Sequence, residues 1–153
     1  MQPKATNKKM DTLLDYVKTA SLPLNDRPNV SSAPVKSLTL GMVNKRAGGY
    51  GISSATTSDK MRLLQLLVGL TRDKTIAGVA PLVYTSICCN VDFACELHTD
   101  SHNSCDYKSS IVAIGEFSGG ELFLEATEDS DADCATELSG ARGVAMDIKR
   151  RWC

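Results

Sequence analysis

The sequence predicts an α+β domain built around an antiparallel β core. Two observations carry that prediction. The broadest apolar helix pattern, DKMRLLQLLVGLTRDK, lies in the first half of the chain, whereas the segments after Pro81 read as short strands. Among these, LVYTSICCNV alternates, with Val83, Thr85, Ile87, Cys89 and Val91 on one face and Leu82, Tyr84, Ser86, Cys88 and Asn90 on the other. A third observation, a chain of 153 residues that is 42% hydrophobic, says that one domain of this size has enough apolar material for a core.

Taken in order, Met10, Leu13, Leu14 and Val17 recur at helical spacing and predict a short helix over 10–19. Pro23, Pro28 and Pro34 then punctuate a polar stretch that suits neither helix nor central strand. Residues 1–34 are therefore expected to be peripheral, with the main domain at 35–153. VKSLTLGMV, residues 35–43, has strand composition, and KRAGGYGISSATTS reads as a loop.

Ser58 is the expected N-cap of a helix at about 59–71. Met61, Leu64, Leu67 and Val68 share its apolar face, which Leu63, Leu66 and Leu70 widen, and a stripe so wide is expected to pack on a sheet. SSIVAIGEF reads as a near-continuous apolar strand, SGG as a tight turn into ELFLEA, and GVAMDI as the last strand.

Composition narrows function. A net charge of −1 excludes a strongly basic nucleic-acid footprint, and 5% aromatic content argues against a base-stacking surface. No run approaches the roughly 18–20 apolar residues of a membrane helix, and Lys4, Lys8 and Lys9 precede no apolar stretch of signal-peptide type. The expected location is intracellular, cytoplasmic or nuclear, with the six cysteines as thiols or metal ligands.

Both histidines lie in CELHTDSHNSC, residues 95–105. On extended chain His98 and Asp100, at i and i+2, project from one face as two ligands of a 2-His-1-carboxylate iron site. The rival use of the segment is a small zinc site of Cys95, His98, His102 and Cys105. Against it stand the three residues between the inner pair and the opposite strand faces of Cys95 and His98. A calcium loop at Asp129, Asp131 and Asp133 is excluded, because Cys134 stands at the required glycine and Gly140 at the bidentate glutamate.

The ordered series YTSICCNVDFACELHTDSHN, SIVAIGEFSGGELFLE and GVAMDIKRRWC resembles the 2-oxoglutarate/Fe(II)-dependent oxygenase superfamily. It looks closest to the thymine-dioxygenase-like branch that includes the J-base-binding and ten-eleven-translocation proteins, and the resemblance covers about residues 35–153. It implies a mainly antiparallel double-stranded β-helix (jelly roll) behind N-terminal helices, and a dioxygenase using Fe(II) and 2-oxoglutarate. His98 and Asp100 would be metal ligands, and Asn103 a supporting residue. Phe117, Gly119, Gly120, Glu121 and Leu122 match a turn and strand of architectural role, with Leu122 packing inward, and His102 has no role in the pattern.

Two departures stand out. No histidine follows His102, and Arg142, Arg150 and Arg151 come too early to match the arginine that clamps 2-oxoglutarate. The expectation is therefore an oxygenase-like domain lacking its last strand or strands, a fragment or inactive as it stands. The alternatives are a non-catalytic β-sandwich binding module and the zinc-stabilised domain. Nucleobase, protein side chain and small molecule all stay open as substrates, as does the oligomeric state.

Overall fold

A computed structural model describes residues 4–26, 30–45, 48–72, 83–96, 98, 109–126 and 136–153. The architecture is α+β, with antiparallel ladders, as the sequence predicts. The chain forms two compact units, Met1–Ser109 and Ser110–Cys153.

The first unit is organised on β2 (Val35–Asn44). One partner is β1 (Leu24–Asn25), directly after Pro23 and only two residues long, which is the edge role a proline permits. Ser37 of β2 is buried, and Asn25 satisfies it: the Asn25 amide donates to its carbonyl and to its hydroxyl. β3 (Tyr50–Ile52) pairs with the far end of β2, Met42 opposite Ile52 and Asn44 opposite Tyr50. The glycine-rich segment expected to be a loop thus contains a strand, because Gly48 and Gly49 take φ values of +90° and +79° and reverse the chain tightly. β4 (Ser86–Val91) runs antiparallel to β2, from Lys36 opposite Val91 to Gly41 opposite Ser86.

Gly41 is where β2 passes from one partner to the other. Its φ is +101°, and a Cβ there would lie 2.5 Å from the Thr85 carbonyl oxygen. Its N–H donates to the Thr56 hydroxyl and its carbonyl accepts from Ser53. The local bend is what lets one strand serve both β4 and β3.

α1 (Lys4–Thr19) starts earlier than its apolar spacing predicted and buries Met10 and Leu13. α2 (Met61–Arg72) follows a single 3-10 turn, Ser58–Lys60, so that Thr57 rather than Ser58 occupies the cap position. The Thr57 hydroxyl donates to Asp59, and with Lys60 beside it this holds the Asp59 carboxyl below its ordinary pKa. The buried line of α2 is Leu63, Leu67 and Leu70, while Met61 is exposed, so the face is rotated from the predicted centre. Its most extensive partner is α1 rather than the sheet. Residues before 35 are thus part of this core, to which Leu22 and Val30 also contribute.

The second unit is a three-stranded antiparallel sheet in the order β5 (Leu122–Glu125), β7 (Ala141–Met146), β6 (Thr136–Leu138). β6 and β7 meet across Ser139 and Gly140, both at positive φ, the twist that two-residue hairpins favour. Residues 136–138, where the sequence predicts no strand, form this extra strand. SSIVAIGEF is not a ladder strand. Within it Ala113 makes one isolated parallel bridge to Lys149, Ile111 exchanges hydrogen bonds with Cys153, and Gly115 at φ +122° breaks the run. No closed barrel is formed among the described residues. Nor is any described helix long and apolar enough to cross a membrane.

Candidate metal centre

The candidate site grows from the end of β4. In that strand Ile87, Cys89 and Val91 are half-buried and Cys88 and Asn90 exposed, the alternation read from the sequence. The strand ends because Asp92 adopts φ +48°. The extended chain that would have put His98 and Asp100 on one strand face is therefore not continued as β structure to His98. The chain instead crosses the segment that leads into β2, and the Glu96 N–H donates to the Val30 carbonyl at 2.9 Å.

His98 is exposed, and its Nδ1 lies 2.8 Å from the Glu96 carbonyl oxygen. A carbonyl only accepts, so Nδ1 carries the proton and the ring lone pair lies on Nε2. This is the tautomer seen when an imidazole binds a metal through Nε2 and is oriented through its other nitrogen. Cys95 Sγ is 3.2 Å from the same Nδ1 and donates weakly to the Glu96 carbonyl at 3.4 Å. Cys95 and His98 thus converge, contrary to the opposite faces expected of a regular strand, because the segment has left the strand.

Asp100, His102, Asn103 and Cys105 lie outside the described residues, as do Asp129, Asp131, Asp133 and Cys134. Among the described residues no group of three or more His, Cys, Asp or Glu is placed to hold one metal ion.

The residues matched to the turn before β5 lie in the second unit. Gly119 and Gly120 take φ values of +73° and +78°, which fits a tight reversal, and Leu122 is half-buried. Sequence reasoning missed the residue that fastens this turn. Lys149 Nζ sits 5.1 Å from the centroid of the Phe117 ring, 3.2 Å from Glu116 Oε2 and 3.2 Å from the Phe117 carbonyl oxygen. No spacing rule links positions so far apart. Arg142 is exposed on β7, and Arg150 stands at φ +53°.

Cys88, Cys89 and Cys153 carry free thiols. Burial, with a smaller effect from neighbouring Cys88, pushes the Cys89 thiol up to about 11, so it is inert near neutrality.

Compared with known proteins, the chain matches no family model, no curated protein and no solved structure.

Proposed function

We propose that this chain is a 2-oxoglutarate/Fe(II) dioxygenase-like domain in which His98 and Asp100 hold iron and Asn103 supports them. The observation that carries the reading is the His98 ring, whose Nδ1–H bond to Glu96 leaves the lone pair on Nε2, the atom a metal would use. The ordered H-x-D-x-x-N, F-S-G-G-E-L and G-V-A-M-D-I segments support it, as do antiparallel sheets that a double-stranded β-helix would extend. Fe(II) and 2-oxoglutarate, when bound, would supply the chemistry by which dioxygen oxidises substrate, with 2-oxoglutarate converted to succinate and carbon dioxide. The contribution of the chain is to hold and orient: Glu96 fixes the ring of His98, and His98 and Asp100 offer one neutral nitrogen and one carboxylate.

Residues 103–153 offer no histidine as a third ligand, and no arginine in them matches the 2-oxoglutarate clamp. Two ligands hold octahedral iron weakly, so turnover by these residues alone is expected to be slow or absent. The test is metal uptake together with succinate formation from 2-oxoglutarate, compared with His98→Ala and Asp100→Ala. The expected result is Fe(II) binding weakened tenfold or more by either substitution, with little succinate in any sample. Binding indifferent to both substitutions would overturn the assignment.

A second reading has one observation in its favour. A separation of 3.2 Å between Cys95 Sγ and His98 Nδ1 is short enough for both to reach one zinc ion, with His102 and Cys105 as the remaining ligands. It requires Nδ1 to give up the proton it donates to Glu96. Zinc retained by wild type and lost in Cys95→Ser would favour it, whereas Fe(II) binding that survives Cys95→Ser favours the oxygenase-type site.

A further inference from the structure

We infer that the segment entering β2, through the backbone carbonyl of Val30, positions His98 for metal binding. The inference rests on the proposed role of His98 and assigns a task to residues that the sequence alone marks as peripheral. Val30 is 6% exposed, so its carbonyl sits on a packed residue five positions before β2 begins. That carbonyl accepts the Glu96 N–H at 2.9 Å. The other side of the same residue, the Glu96 carbonyl, accepts the His98 Nδ1–H at 2.8 Å. One backbone–backbone hydrogen bond and one from the His98 ring to a backbone carbonyl therefore connect a buried anchor to the imidazole.

The register explains why the anchor falls there. β2 and β4 pair with Lys36 opposite Val91, so the chain before β2 runs beside the chain after β4. Continued unchanged, that register would set Val30 opposite residue 97. The bond instead forms at Glu96, a slip of one residue that follows the left-handed Asp92. The slip leaves the next carbonyl turned toward His98. Asp92, Ala94, Cys95, Glu96 and His98 are exposed, so without the anchor no packing would fix the ring, which would sample both tautomers and many orientations. Each alternative state lowers apparent metal affinity in proportion to its population.

Backbone groups are tested by removing the donor. Glu96→Pro deletes the N–H while keeping the carbonyl that His98 uses, and Glu96→Ala keeps both as a control. The first readout needs no metal: ring 15N shifts of His98 at alkaline pH report which nitrogen carries the proton. Wild type and Glu96→Ala are expected to be mainly Nδ1–H, and Glu96→Pro to move toward the Nε2–H form. A through-bond coupling between the Glu96 nitrogen and the Val30 carbonyl carbon in wild type checks the anchor without any substitution. The second readout is Mn(II) affinity, expected to fall tenfold or more in Glu96→Pro and to hold in Glu96→Ala. A tautomer unchanged by Glu96→Pro, a shift equally large in Glu96→Ala, or no Glu96–Val30 coupling would each overturn the inference. If wild type binds no Mn(II) while the tautomer still shifts, the positioning stands and the metal assignment of His98 fails.

Discussion

The two units of the chain are stabilised very differently. The first buries side chains from both helices and from β2, with Met10, Leu40 and Leu63 wholly enclosed. In the second, Ile148 is the one hydrophobic residue that is buried among the described residues, and Ile111, Phe117, Leu124 and Leu138 are exposed. The second unit is held instead by ladder hydrogen bonds and by the Lys149 contacts with Glu116 and Phe117. At about 25 cal/mol per Å² of apolar burial, a unit with one buried hydrophobic residue has little margin against its own conformational entropy. The candidate site belongs to the first unit, so its histidine is anchored, through Val30, to the better-packed region.

Substitutions can break that contrast. The largest effect is expected from Leu63→Ala, which leaves a void beside α1 and should cost roughly 2–5 kcal/mol in urea denaturation. Gly41→Ala comes next: a left-handed backbone and a Cβ 2.5 Å from the Thr85 oxygen should cost about 2–3 kcal/mol and loosen both the β2–β4 and β2–β3 pairings. Amide exchange along β3 and β4 checks it.

Cys89 sharpens the comparison through pH. The folded thiol is raised to about 11, so the native state keeps a proton that the unfolded chain releases first. Stability from this group is complete below the ordinary thiol range near 8.5–9 and is lost as pH climbs toward about 11, a decline on the order of 2 kcal/mol. Cys89→Val should remove that slope from the pH dependence of the urea midpoint. The smallest effect is expected in the second unit, where Lys149→Met deletes a surface ion pair and a cation–π contact and should cost under about 1 kcal/mol. A loss of several kcal/mol there would show that Lys149 matters more to this unit than burial does.

Strong local patterns made much of the fold legible. Alternation in LVYTSICCNV fixed the faces of β4, the run VKSLTLGMV marked β2, and the apolar stripe marked α2. Local pattern failed where partners decide. SSIVAIGEF carries no alternation to choose a face, and its backbone pairs with residues 148–153 at isolated points. β3 was hidden because glycines that read as loop form the reversal of a hairpin. The α2 stripe was too wide to name its own centre, which α1 sets by packing against it. At the candidate site the histidine was visible as a residue type, but its orientation depends on the carbonyls of Val30 and Glu96. Backbone groups have no sequence signature, and Val30 lies 66 positions from Glu96.

The central claim is that His98 Nε2 meets a metal ion together with Asp100. Substoichiometric Mn(II) added to isotopically labelled protein tests it directly, because a bound paramagnetic ion broadens the nuclei closest to it. The account predicts selective loss of the His98 ring signals and of the Asp100 side-chain carboxyl signal, both reversed by chelator, with the Asp100 signal retained in His98→Ala. Unperturbed His98 signals at Mn(II) concentrations that broaden other residues would contradict it.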